Sequence, residues 1–274
     1  MHLAARQKWL IPLQRQELHG SVKLSVEVGK VGETTGMRVM LTEIDKCLIG
    51  PGVFDGVSAH VASSIGFDFL YLAGSGTSGS RCGHPDLSII TQTELADVGR
   101  MVASQTDIPV LADADTGFGG PLNIARTIRM YQEAGIAACH IEDQVFPKRC
   151  GQLRGKTVVS LSEFLERIRS AVEARRDPDF VIVARTDARQ AVDFGGPSAG
   201  RPAFEEGVRR LKAALDAGAD MAFMESPRTE EECQALVKAL APKPVLINVL
   251  PHASASSYIL LSSQLTRRRA SLRI

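Results

Sequence analysis

The chain has 274 residues, 44% of them hydrophobic, which is the length and apolar content of one large core such as an α/β barrel encloses. Its 32 lysines and arginines balance 31 acids, which excludes a strong global attraction to nucleic acid or to an anionic membrane and leaves a small molecule as the expected partner. Five scattered cysteines without a CxxC pair favour free thiols over a disulfide frame or structural zinc, and no apolar run is long enough to cross a membrane.

Residues 1–45 are predicted as a leader and a helix. Arg6, Lys8 and Arg15 precede the first acid, Glu17, among apolar residues. A mitochondrial presequence and a loosely packed leader share that pattern, so cytoplasm and mitochondrion both stay open as locations.

From residue 46 to 251 short apolar runs alternate with longer amphipathic segments, which defines the expected barrel domain. "KCLIG" (46–50), "FDFLYLA" (67–73), "PVLADA" (109–114), "AACHIE" (137–142), "FVIVAR" (180–185), "MAFME" (221–225) and "PVLINVL" (244–250) read as strands. Each is too short for a helix and is bounded by Gly, Pro or Asp. Residues 160–176 have helical spacing, with Ser160 and Glu163 at capping-box distance, and 204–220 repeat the theme up to Gly218. Such β-then-α units with apolar strands predict a parallel sheet covered by helices. A TIM-type barrel is preferred to an open sheet because charged residues follow many of the strands, and in a barrel those strand ends converge on one face.

After Pro251 the texture changes. Residues 252–274 carry four arginines and no acid, so they read as a divergent basic tail. The eighth β/α unit of a (β/α)8 barrel is therefore expected to be missing or replaced.

Asp113 and Asp115 stand two apart at a strand end, so their side chains share one side of the chain. With Glu142 ending the next strand, the three acids suit a hard cation, Mg²⁺ or Mn²⁺, and lack the Cys/His spacing of zinc. Capping of the following helix is the alternative for the aspartates. "LAGSGTSGS" (72–80) is either a cradle of exposed amides for an anion or a simple turn. Cys150 lies beside Lys148 and Arg149, whose charge favours the thiolate, though an inert loop thiol fits the same residues. Arg185 ends a buried strand and needs an anionic partner. His140 reads as a core histidine with a satisfied hydrogen bond, and Cys139 and Cys47 as packing residues.

These stretches together resemble the isocitrate lyase and phosphoenolpyruvate mutase superfamily. "GPGVFDGVSA" (50–59), "YLAGSGTSGSRCGHPDLS" (71–88), "LADADTGFGG" (111–120), "HIEDQVFPKRCG" (140–151), "VARTDA" (183–188), "FMESP" (223–227) and "NVLP" (248–251) occur in the family's order. The resemblance implies a (β/α)8 barrel, a homo-oligomer, and Mg²⁺ held by Asp113, Asp115 and Glu142. It implies amides of Gly74 and Ser75, beside Ala73, on a substrate carboxylate. Arg185 would stabilise an enolate, Gly151, Glu225 and Asn248 would contact substrate, Cys150 would donate a proton, and Tyr71 would serve as base. The KRCG motif implies the lyase branch, which cleaves a 2-hydroxy di- or tricarboxylate. Oxaloacetate hydrolysis and a truncated, inactive relative remain as alternatives. Two departures stand out: Gln152, where the family commonly has histidine, and the tail after His252.

Overall fold

The computed structural model describes residues 33–42 and 47–248 and the main chain of Ser271–Arg273. The leader and presequence readings for residues 1–32, and the basic-tail reading for residues 252–270, lie outside the described residues. In chain order the elements are α1 (Glu33–Met40), β1 (Leu48–Ile49), β2 (Gly52–Val53), α2 (Gly56–Ile65), β3 (Leu70–Leu72) and a helical turn, α3 (Gly74–Thr77). They continue with α4 (Gln92–Ala103), β4 (Val110–Asp113), α5 (Pro121–Glu133), β5 (Ala138–Glu142), α6 (Leu161–Ala174) and β6 (Val181–Thr186). The last are α7 (Arg201–Asp216), β7 (Met221–Met224), α8 (Glu230–Leu240), β8 (Val245–Ile247) and β9 (Ser271–Arg273).

All strand pairs are parallel, in the order β1-β9-β8-β7-β6-β5-β4-β3-β2. Both edges of the sheet belong to one stretch, residues 48–53, so the sheet curls round toward itself as in a TIM-type fold. The stretch is broken at Gly50–Pro51, because proline has no N–H for the ladder. The Pro51 carbonyl still accepts from the Tyr71 amide at 3.0 Å. Gly50 is required there, since a Cβ would lie 2.5 Å from the Phe69 ring.

Two apolar layers hold the sheet. Leu70, Leu72, Ala112, Ile182 and Ala222 point outward and pack under the helices with Leu95, Ile128, Phe164, Leu211 and Leu236. Tyr71, Leu111, Ala138, Val181, Val183, Met221, Phe223 and Leu246 point inward, with Met37 of α1 among them. Both faces of the strands are therefore buried, which is why the sequence shows apolar runs instead of alternation. Among the described residues no helix is long and apolar enough to cross a membrane.

Local capping differs in detail from expectation. The Ser160 hydroxyl accepts from the Glu163 amide at 3.2 Å, but the Glu163 carboxylate turns to Arg167, 2.7 Å away, instead of returning the bond. α7 begins at Arg201, earlier than the spacing suggested, because Pro202 in its first turn starts the helix without losing a bond. It stops before Gly218, whose φ of 110° favours glycine. Ser271–Arg273 pairs with β8 on one side and β1 on the other, placing Leu272 opposite both Leu246 and Leu48. A three-residue Ser-Leu-Arg strand leaves no apolar run to read.

Candidate active site

The inner face has a period of two, and its members change character toward the C-terminal ends of the strands. Leu111 is followed by Asp113, Val183 by Arg185 and Asp187, Phe223 by Glu225, Ala138 by His140 and Glu142, and Leu246 by Asn248. Parallel strands point their C-terminal ends the same way, so these polar residues gather above the inner apolar layer.

Cations hold the acids apart there. The Lys148 ammonium lies 2.5 Å from Asp86 Oδ1 and 2.8 Å from Asp115 Oδ1. The Arg185 guanidinium sits between Asp187 (3.0 Å), Glu142 (3.2 Å) and Glu225 (3.5 Å), and over the Phe223 ring. Burial pushes the Asp115 carboxyl up to about 7, with Lys148 opposing and Asp113 adding to the rise. Burial also raises Glu142 well above the usual carboxylate range, against the attraction of Arg185. Asp115 Oδ1 and Glu142 Oε2 are buried and face these cations without hydrogen-bond geometry. Among the described residues no three acid, histidine or cysteine side chains stand close enough to make a ready-formed metal cluster.

Below the acids, the Tyr71 hydroxyl and His140 Nε2 are 2.8 Å apart, and burial pushes His140 down to about 4, so its ring is neutral at pH 7. His140 is thus a core histidine whose Nε2 has a hydrogen-bond partner, as its place in the strand suggested. Strained backbone surrounds the site: Ser88, Asp115 and Ser226 all have positive φ, at 60°, 46° and 55°. Each such residue costs about 1–3 kcal/mol and persists only where neighbours fix it. Ser88 is fixed by Lys148, whose amide donates to its hydroxyl at 2.8 Å, and Asp115 by its own amide, which donates to Asp113 Oδ1 at 2.8 Å.

The loop after β5 brings Cys150 over this mouth. Gln144 organises it, donating to Glu142 Oε1 (2.9 Å) and to the Arg149 carbonyl (2.8 Å) while accepting from the Arg149 amide (3.1 Å). The Cys150 amide donates to the Asp86 carbonyl at 3.0 Å. Gly151 rests on the site floor, where a Cβ would meet Arg185 Nη2 and Glu225 Cδ at 2.7 Å each. Burial raises the Cys150 thiol above its ordinary value and outweighs Lys148 and Arg185, opposite to the lowering expected from the flanking charges, so the group is a thiol. The Lys148 charge is spent on Asp86 and Asp115.

Gly74 and Ser75 open the helical turn after β3, where the first amides have no intrahelical acceptor. A Cβ at Gly74 would lie 2.5 Å from Asp113 Oδ2, so the turn approaches that aspartate closely. Ala73 caps the turn, and Asn248 directly follows β8 on the inner-face parity. Gln152 donates to Glu225 Oε1 at 2.8 Å. Sequence reasoning gave no role to Asp86, Gln144 or Lys156. Asp86 and Lys156 sit in polar loops; only the geometry reveals that both are buried.

Curled parallel strands ending in buried acids, with an arginine beneath a cysteine-bearing loop, define an α/β fold that gathers its buried polar groups at one end of the sheet. The chain belongs to the phosphoenolpyruvate phosphomutase family, whose model matches residues 38–265, and so to the PEP mutase/isocitrate lyase superfamily. It is 41% identical over 196 residues to a 2,3-dimethylmalate lyase of Eubacterium barkeri, covering 72% of this chain and 64% of that one. A 2-methylisocitrate lyase of Shewanella oneidensis is 44% identical over 199 residues, with coverage of 72% and 64%. The chain thus spans just under two thirds of the length of these curated relatives. Among solved structures, oxaloacetate acetylhydrolase in complex with 3,3-difluorooxalacetate matches with a TM-score of 0.79 and 39% identity, covering 88% of this chain and 80% of that one.

Proposed function

We propose that this protein is a carbon–carbon lyase that cleaves the C2–C3 bond of a 2-hydroxy di- or tricarboxylate, giving a 2-oxo acid and a second carboxylate. The observation that carries the reading is the seat of the Cys150–Gly151 turn directly on the Arg185 guanidinium, with a thiol that burial keeps protonated. A proton donor and a fixed positive charge thus face the same space. The kinship with named lyases supports the same class.

Asp113, Asp115 and Glu142 would hold a divalent cation, Mg²⁺ or Mn²⁺. The donor set is all oxygen, which fits a hard ion, and Asp115 Oδ1 and Glu142 Oε2 already face positive charge, from Lys148 and Arg185. When bound, such an ion supplies Lewis-acid polarisation of substrate oxygens. Gly74 and Ser75, next to Ala73, offer amides to a substrate carboxylate. Arg185 offsets the negative charge that develops as the bond breaks. Cys150 gives its Sγ proton to the departing carbanion, and Gly151, Glu225 and Asn248 orient the substrate. Tyr71, expected as the base, is held protonated by burial and Asp113, so it would take the substrate's 2-hydroxyl proton only as it passes its own to the neutral His140 Nε2, 2.8 Å away.

The curled sheet reads as a (β/α)8-type barrel in which β9 replaces the eighth strand. An oligomer is supported by Val57, Val61 and Ile65 of α2, an apolar stripe left 74%, 54% and 64% exposed. Hydrolysis of oxaloacetate to oxalate and acetate is a second reading, supported by the likeness to the acetylhydrolase. Incubation with Mg²⁺ and 2,3-dimethylmalate, 2-methylisocitrate, isocitrate or oxaloacetate separates the two. Release of a 2-oxo acid from a hydroxy acid supports the lyase; oxalate from oxaloacetate alone supports the hydrolase. A folded protein that turns over none of them is the inactive relative.

A further inference from the structure

Lys156 is fully buried, an uncommon place for a lysine. Its ammonium donates to the Gly151 carbonyl at 2.6 Å and to Asp187 Oδ1 at 2.7 Å. Asp187 is shared, because Arg185 Nε donates to its Oδ2 at 3.0 Å and Arg185 Nη2 to its Oδ1 at 3.3 Å. The Asp187 amide is fixed in turn by Asp143 Oδ1 at 2.9 Å. One immobile carboxylate therefore holds the site's arginine and also the lysine that clasps the cysteine-bearing turn.

On the C-terminal side of the turn, the exposed Gln152 donates to Glu225 Oε1 at 2.8 Å and the Leu153 amide to the Cys150 carbonyl at 2.8 Å, and Lys156 adds a fully buried contact. Residues 152–155 are exposed, whereas Gly151 and Lys156 on either side of them are buried. From the N-terminal side, Gln144 and the Asp86 carbonyl fix only the main chain of Arg149 and Cys150. A buried, doubly bonded ammonium is the charge-assisted member of these contacts, and it ties the Gly151 carbonyl itself to Asp187.

We propose that Lys156 is a positioning residue that pins the Cys150–Gly151 turn to the Asp187–Arg185 pair, and so sets where the thiol stands over the guanidinium. Its effect on turnover rests on the lyase reading. Its effect on the thiol does not.

The test compares alkylation of individual cysteines by iodoacetamide, followed by peptide mass, in the wild-type chain, Lys156→Met and Lys156→Gln. Methionine keeps the length without the charge, and glutamine, one atom shorter and neutral, retains N–H donors without charge assistance. Release of the turn accelerates Cys150 in Lys156→Met about tenfold, with a smaller rise in Lys156→Gln, while Cys82, Cys139 and Cys233 keep their rates. On a turned-over substrate, kcat falls in the same order with KM little changed. An unchanged Cys150 rate overturns the proposal, and so does a uniform rise at every cysteine, which marks general loosening. If the wild-type chain turns over no substrate, the lyase reading fails and the alkylation comparison still decides the role of Lys156.

Discussion

Lys148 and Asp115 face each other across the mouth of the sheet, Nζ 2.8 Å from Oδ1, with both side chains almost wholly buried. Asp86 takes the same ammonium from the other side at 2.5 Å. Removing one member of a buried ion pair strands the others, so Lys148→Met should cost about 3–5 kcal/mol. Chemical denaturation in the absence of divalent ions measures it, and a loss below about 1 kcal/mol would be that of an exposed pair.

Gly151 and Gly74 are expected to tolerate no side chain for steric reasons in opposite halves of the site. Gly151→Ala drives a methyl into Arg185 and Glu225, which their other partners hold in place, and Gly74→Ala drives one into Asp113. Each should lower kcat/KM about a hundredfold or more while the fold survives, because a displacement of about 1 Å is enough at a reacting centre. Steady-state kinetics with a circular-dichroism melt of each variant checks both halves of the statement.

Cys150→Ala should lower kcat by about 10²–10⁴, the range for loss of a general acid, and shift the melting midpoint by less than about 2 °C. The side chain is only half-buried, so little packing is lost. Turnover equal to wild type would remove the thiol from the mechanism.

Asp143 gives a pH dependence of stability. Burial pushes its carboxyl from 3.8 up to about 6, against hydrogen bonds from Thr186 and the Asp187 amide and the charge of Arg210. With the folded value above the unfolded one, the folded chain binds the extra proton. Its stabilising contribution is complete below about pH 4 and is lost as pH rises through about 6, by at most about 3 kcal/mol. The stability of wild type relative to Asp143→Asn should therefore decline between pH 4 and pH 6 in urea titrations. A flat difference would place that carboxyl at its ordinary value.

How much of this was legible depends on what each residue answers to. The strands from Phe67 to Ile247 announced themselves because both of their faces are buried, and the site acids and Arg185 because charge at the end of an apolar run is conspicuous. Pro51 splits the first strand, so "KCLIG" gave only its first half. Asp86 and Lys156 could not be read as site residues, since their partners lie far off in sequence: Lys148 is 62 positions from Asp86 and Asp187 is 31 from Lys156. The sign of the Cys150 shift was misjudged for the same reason. Lys148, two positions before it, carries positive charge that the fold directs to Asp86 and Asp115, and burial outweighs what remains.

The most direct test of the central claim is calorimetric titration of oxalate, a planar mimic of an enolate, into the protein with and without Mg²⁺. The account predicts saturable binding of one oxalate per chain that requires Mg²⁺ and disappears in Asp115→Asn. Absence of binding in the presence of Mg²⁺, or equal binding without it, would contradict the account.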